Sequence, residues 1–387
     1  MDVIVVFILL FVLYLIQRKY LIRKYNHYNS KGFKYFFDLL FIIHHVFFLI
    51  YYLYSTSKSS DSIQFYEKTF AAKSWVEFVG TGTNSIRFLT FPLSRYLHLS
   101  FPAVSLIFSF LGLQGMILFF LTANEKIGEQ KVFYFNLSLL EILFLLPNCH
   151  FWSSSLGKGS IMMFGIALMM FSLSNFRKRF LYFFLSLMLV LVIRPHIVFI
   201  LLICVEISVL FASNVKMITR LVVACIALLS IFLIADFVST FIKSDISSVF
   251  LENSAIFVKA QLLSNSSSGY DVSNYNQFMK LFTFLFRPLF FDSPNILGII
   301  TSIENLIGFF LFIHLFYLKL NSSTKWNNFI LFSFIFFLVS SFMLAQVSGN
   351  LGIAIRQKAQ IMPIFFMVYI KTYMDYLNLG KNKIMST

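Results

Sequence analysis

The segment LPNCHFWSSSLGKG, Leu146–Gly159, sits between apolar runs at 132–147 and 159–174. It inserts a proline, a histidine, a tryptophan, three serines and a lysine where a hydrophobic span ends and another begins. Such groups are costly near a bilayer core unless they have partners. Two further breaks have the same character, Arg194-Pro195-His196 and Arg287-Pro288. A chain that alternates long apolar runs with short polar breaks is expected to be an all-α, polytopic integral membrane protein.

Composition agrees. Of the 387 residues, 59% are hydrophobic and 12% charged, against about 45–50% and about 25% in soluble domains. The formal net charge of +15 does not point to nucleic acid. The lysines and arginines are spread through short connections between apolar runs, the distribution that sets orientation in a bilayer. Cys204 and Cys225 lie inside apolar runs and read as packing residues. Cys149 has no evident partner, and no disulfide is expected from this odd count. Met1-Asp2 lacks a basic n-region, and the positive cluster follows the first apolar run. A retained helix with its N-terminus outside is therefore expected.

Runs long enough to span fall at 2–16, 36–54, 102–122, 132–147, 159–174, 180–193, 197–212, 221–238, 295–318, 328–346 and 360–377. By the requirement of ~20 apolar residues, that is about eleven spans. The short pair 180–193 and 197–212 flanks Arg194-Pro195-His196 and suggests a hairpin turning within the membrane. Connection 17–35 carries six Lys and Arg residues and is assigned to the cytoplasm. Alternation then puts 123–131, 175–180, 213–220, 319–327 and the C-terminal tail on that side, each with basic residues. The other side receives the outer connections 55–101 and 239–294, the segment 148–158, Arg194-Pro195-His196 and 347–358. One transmembrane domain, 1–387, is expected, with amphipathic or re-entrant segments on the outer side. Phe88–Pro102 is one such segment, by its interfacial aromatics. Ser264–Ser268 reads as a loop tip.

All the unusual motifs fall on this outer side, and each has a plainer reading. Asp61, in SSDSIQFYEK, suits a general base toward a sugar hydroxyl or a metal ligand; otherwise it is a solvated acid, and Glu67 is its near alternative. Pro147 ends a helix, Trp152 suits an interfacial anchor, and His150 lies between them. Lys158 opens the next helix, where a cation opposes the helix dipole unless an anion shares the site; the alternative is a lysine reaching to the headgroups. Arg194 between short apolar runs is destabilising unless paired, and His196 beside it can donate, accept or carry a proton; the alternative is an outer turn in water. Arg287 suits a bidentate phosphate clamp, unless Asp292 neutralises it structurally. Glu304 falls inside a span and is expected to support a basic residue. Arg356 and Lys358 precede the last span on the side where cations are scarce, which suits an external anion or a lipid phosphate. No P-loop, zinc spacing, dinucleotide fingerprint or nucleophile elbow occurs. No cofactor is expected, and a divalent metal is compatible but not predicted.

Asp61-Ser62 with Tyr66, Phe151-Trp152-Ser153-Ser154 with Gly157-Lys158, Arg194-Pro195-His196, Phe286-Arg287-Pro288 and Arg356-Gln357-Lys358 together give a layout that resembles bacterial O-antigen and exopolysaccharide polymerases. These belong to the GT-C-like membrane glycosyltransferases of polysaccharide and lipopolysaccharide biosynthesis. The resemblance covers most of the chain as a pattern. It implies an inner-membrane enzyme that polymerises undecaprenyl-diphosphate-linked repeat units at the periplasmic face. The N-terminus would be periplasmic and the C-terminus cytoplasmic, and a chain-length regulator protein is a possible partner. GT-C enzymes usually carry their acid after the first span, whereas here it follows the second. By this resemblance Lys158, Arg194, Arg287 and Arg356 would stabilise the leaving diphosphate. Asp61 or His196 would take the acceptor proton. His150, Trp152, Asp292, Glu304 and Lys358 would support them. Transfer of a single sugar from a polyprenyl-phosphate donor is the alternative enzyme. A flippase for lipid-linked oligosaccharide is the alternative from another class, and an acyltransferase using His150 or His196 is a third.

Overall fold

The computed structural model describes residues 1–24, 30–57, 60–128, 132–134, 136–211, 216–218, 220–222, 225, 228–229, 269, 275–292, 295–322 and 325–385. Most of the expected span 221–238, the connection from 239 to 268 and the Ser264–Ser268 tip lie outside them, as does Pro294. Helices dominate. Among the described residues, five are long and apolar enough to cross a bilayer, or seven if each of two bent pairs is one span. The described chain forms two compact units, Met1–Arg194 and Pro195–Thr387. The division falls inside the Arg194-Pro195-His196 motif.

In the first unit, α1 (Asp2–Lys24) and α2 (Ser30–Ser57) are antiparallel. The Tyr14 hydroxyl donates to the Phe37 carbonyl at 2.8 Å, and Arg18 pairs with Asp38. Only 11% of the apolar window of α1 is buried. A helix apolar on every face yet exposed suits lipid rather than water as its solvent. The central helix is α5 (Phe101–Ile127), with 72% of its window buried. It starts where the Asp2 carboxylate accepts the Ser100 N–H at 2.7 Å. Gln17 and Gln114 then exchange amide hydrogen bonds midway along, so α1 and α5 run parallel. The connection 55–101 folds as α3 (Asp61–Ala71), a 3-10 turn, α4 (Thr83–Phe91) and a π turn at Pro92–Tyr96. Trp75 stacks on Phe88 and donates its indole N–H to the Phe88 carbonyl, which fixes the expected interfacial segment against its neighbour.

The run 132–147 is not one helix. It holds an antiparallel pair, β1 (Val132–Tyr134) and β2 (Leu137–Ser138), then the short α6 (Leu139–Phe144). Asn136 takes φ 61° at the turn, a conformation asparagine tolerates. Ser138 and Glu141 then form a capping box that starts α6 within the apolar run. After Pro147 comes α7 (Pro147–Ser153), bent by 113° from α8 (Lys158–Ser174). Phe144 packs on Phe120, late in α5, whereas Ser154 and Ser155 reach Phe101 and Ser105 at its start. The chain then turns back along α8. The Lys126 ammonium donates to the Ser174 carbonyl at 2.5 Å, so 128–174 leaves and returns at the same end of α5. Close approach is possible because α5 presents glycine. A Cβ on Gly112 would lie 1.9 Å from the Ser153 carbonyl oxygen. The last helix, α9 (Phe176–Ile193), returns antiparallel to α8, with Val190 against Gly165 and Arg179 bound to Glu125.

The second unit begins with α10 (Pro195–Phe211), followed among the described residues by α11 (Gln277–Phe286), α12 (Ile296–Leu320), α13 (Asn328–Gln346), α14 (Leu351–Lys358) and α15 (Met362–Met385). Helices α12 and α15 are parallel: Gly308 faces Met362, Phe312 faces Phe365 and His314 bonds Tyr369. α13 runs opposite, with Trp326 donating to Thr372 and Phe337 stacked on Phe365. Asparagine side chains accept at the starts of α11, α12, α13 and α14, relieving the unpaired amides of each first turn.

Candidate functional site

Three of the expected residues of the first unit gather at one end of it. Lys158 opens α8 and Arg194 closes α9, and the antiparallel pairing of these helices brings both to that end. Asp61 begins α3 there, with Phe65 3.8 Å from where a Cβ on Gly157 would stand. Asp61 is exposed in the first helical turn, behind the Ser60 cap, where a carboxylate complements the dipole. Lys158 is half-buried. Arg194 is buried at 8% exposure, and Gly82 N–H and Ser85 Oγ bond the Val192 carbonyl two residues before it. The cations Arg18, Lys126 and Arg179 occupy the opposite end, two of them in ion pairs.

Between these helices lies a narrow crevice. It is lined by Phe48, Tyr51, Tyr52 and Ser55 of α2, Phe101 and Ser105 of α5, and Ser154 and Ser155 at the α7–α8 break. Tyr51 shares a hydrogen bond with Ser62 at 3.2 Å and packs on Phe151 and Trp152. Trp152 therefore lies half-buried in an aromatic wall. His150 is fully buried against His44.

In the second unit a different group of expected residues meets. Asp292 binds Arg287 in bidentate fashion, through Nε at 3.0 Å and through Nη2, and Arg287 Nη1 donates to the Tyr275 hydroxyl at 2.9 Å. Of the two roles weighed for Asp292, structural neutralisation is the geometry present. Lys358 is buried, its ammonium donating to the Leu285 carbonyl at 2.9 Å and to Asn305 Oδ1. Asn305 in turn donates to the Pro288 carbonyl at 2.7 Å. Glu304 is half-buried and acts electrostatically on Lys358. Arg356 is half-buried on the same short helix, and His196 is half-buried at the start of α10. Among the described residues no group of three or more His, Cys, Asp or Glu side chains gathers to hold a metal.

Burial opposes the Asp292 charge, but the Arg287 guanidinium and the Leu289 N–H outweigh it, so its carboxyl titrates below the ordinary range. A carboxylate depressed in the folded state adds stability above its unfolded pKa and loses it as pH falls through the folded one. Thermal unfolding in detergent is expected to show this contribution intact at neutral pH. It should fade below the ordinary aspartate value of about 3.9. Asp292→Asn is expected to lower stability at neutral pH and to remove that acid-limb loss; an unchanged acid limb would refute the pair's role.

Sequence reasoning missed His44, Tyr275, Asn305 and the serines of α5. For His44 a signal existed: two adjacent histidines, His44-His45, sit mid-span in an apolar run, and an intramembrane ionisable group is a site candidate by default. No protein-family model matches the chain, and neither does any curated protein or solved structure compared with it.

Proposed function

We propose that this protein is a membrane glycosyltransferase that polymerises undecaprenyl-diphosphate-linked oligosaccharide repeat units at the periplasmic face of the inner membrane. The observation that carries the reading is the crevice of the first unit. Aromatic rings and serine hydroxyls meet there at one end of apolar helices, with Lys158, Arg194 and Asp61 at the same end. The crevice is too tight in this structure to admit even a water, so a sugar would enter only if α2 and the α7–α8 break part; the exposed apolar helices suit a prenyl chain. Preplaced cations stabilise the diphosphate as charge builds on it in the transition state. A base takes the acceptor proton, and within the first unit that is Asp61. The other candidates of the sequence reading, His196, Arg287 and Arg356, lie in the second unit, where Arg287 would meet a phosphate only by sharing or exchanging Asp292.

The test is a glycan ladder on a gel from cells carrying the gene, its deletion and variants. Arg194→Ala is expected to abolish chain extension while membrane abundance stays unchanged, and Arg194→Lys to restore part of it. A normal ladder from Arg194→Ala would defeat the assignment. A ladder shortened to one added sugar would favour the single-sugar transferase instead. One observation favours the transporter reading: a buried imidazole, His44, at the middle of α2, where proton-coupled carriers place ionisable groups. Purified protein in vesicles that flips a fluorescent lipid-linked sugar without extending it would establish that reading over ours.

A further inference from the structure

One helical turn beneath the crevice, the same three elements contribute a second polar layer. His44 stands one turn from Phe48, Ser109 one turn from Ser105, and His150 one turn from Ser154. His44 and His150 are fully buried, and their Nδ1 atoms lie 3.1 Å apart. Nε2 of His44 is 2.9 Å from the Ser109 carbonyl oxygen, and Nε2 of His150 is 2.9 Å from that of Phe144. A carbonyl oxygen only accepts, so each Nε2 carries a proton. A neutral imidazole has one ring proton. Two neutral rings would therefore turn bare lone pairs at each other across 3.1 Å, a repulsive contact. With one more proton the contact becomes an N–H···N hydrogen bond. In this ring orientation the contact is relieved by a third proton on the two rings, although full burial opposes the charge that this proton brings.

A second observation is independent of the rings. The Ser105 and Ser109 hydroxyls are buried with no hydrogen-bond partner among the described residues. A helical serine commonly returns its hydroxyl to the carbonyl four residues back, as Ser153 does to Cys149 at 2.5 Å. Ser105 lines the crevice. Ser109 follows on the same face of α5, and its own carbonyl holds His44. Neither hydroxyl bonds the other or a ring nitrogen, so a proton passing from the crevice to the ring pair along this face needs the Ser105 and Ser109 side chains to rotate toward each other and toward the rings.

We propose that His44 and His150 form a proton-binding site, an imidazole–imidazolium pair sharing one proton between their Nδ1 atoms and loaded from the crevice through Ser105 and Ser109. Loading adds a proton to one Nδ1 lone pair and takes the pair from neutral to a single positive charge; release reverses this, and no heavy-atom bond changes. The unloaded pair relieves its lone-pair repulsion by turning one ring, which breaks one of the two Nε2 bonds. The surrounding elements also carry Asp38, His45, Tyr51 and Tyr52 on α2, Glu141 on α6, Cys149 on α7 and Lys158 at the start of α8. Glu141 is bound to the Ser138 N–H at 2.6 Å, and His45 to the Phe41 carbonyl at 2.8 Å. On α5, Glu125 and Lys126 lie about four turns beyond Ser109. The proposal stands on rings and hydroxyls, and holds whichever reading of the protein's activity is correct.

The test uses the full chain labelled with ¹⁵N-histidine, in phosphatidylcholine vesicles. Among its seven histidines, the ¹⁵N spectrum, followed from neutral pH into acid, is expected to show two ring nitrogens of different residues coupled directly through a hydrogen bond. The coupled pair should be lost in His150→Gln. In Ser105→Ala it should persist but exchange more slowly with deuterated solvent. A wild-type spectrum in which both rings stay neutral with bare Nδ1 atoms throughout that range would overturn the site, whether or not His150→Gln folds. Unchanged exchange in Ser105→Ala would overturn the hydroxyl route.

Discussion

Gly112→Val is expected to leave no folded protein that survives detergent extraction. The first side-chain carbon alone would stand 1.9 Å from the Ser153 carbonyl oxygen and 2.8 Å from its carbon. Those atoms are backbone, so no rotamer change relieves the overlap. Overpacking typically costs about 1–3 kcal/mol, occasionally more, and a backbone collision belongs at or above that range. Helix preference works the other way, since even Gly→Ala gains about 1 kcal/mol in a helix interior. The collision wins that comparison, so Gly112→Ala is also expected to destabilise. Gly308→Ala is the control: its nearest neighbour, the end of the Met362 side chain, would be 3.8 Å away, and helix preference then decides the sign. Size-exclusion profiles and melting temperatures of the three variants check this. A Gly112→Val chain that elutes and melts like the parent would refute the α5–α7 packing.

Lys358→Met is expected to destabilise the second unit by about 2 kcal/mol or more, although methionine keeps most of the buried stem. The ammonium ties the Leu285 carbonyl, at the end of α11, to Asn305 in α12. Removing it strands two or three buried acceptors, each costing about 1–3 kcal/mol. Part of that loss is offset because a buried ammonium is itself expensive to desolvate. Lys358→Ala, which also leaves a cavity, should lose more. Thermal unfolding in detergent ranks the three. A methionine variant as stable as the parent would mean that desolvation outweighs these hydrogen bonds.

Much of the fold is legible in length and hydropathy. α1, α5, α12 and α13 are apolar runs of membrane-spanning length, although α12 carries Glu304 and Asn305 in its interior. The run 132–147 misled because hydropathy averages over Asn136 and Ser138, whereas Ser138-x-x-Glu141 was a readable helix start in the middle of it. Site residues were harder. Arg356 and Lys358 lie two apart on a short helix, and only the carbonyls at the end of α11 decide that Lys358 turns inward. Arg287 and Asp292 could be paired by their proximity in sequence, but not Tyr275, which closes the third side of the guanidinium. His44 and His150 are 106 residues apart, and only the packing of α7 against α2 brings them together.

The excursion from residue 128 to residue 174 has both feet on one rim of its unit. In terms of sidedness its contribution is even: it adds helix, aromatic wall and crevice, yet leaves α9 starting from the face where α5 ended. Deleting a true crossing inverts everything translated after it. Excising this excursion would cost the crevice and leave the handedness of insertion downstream untouched.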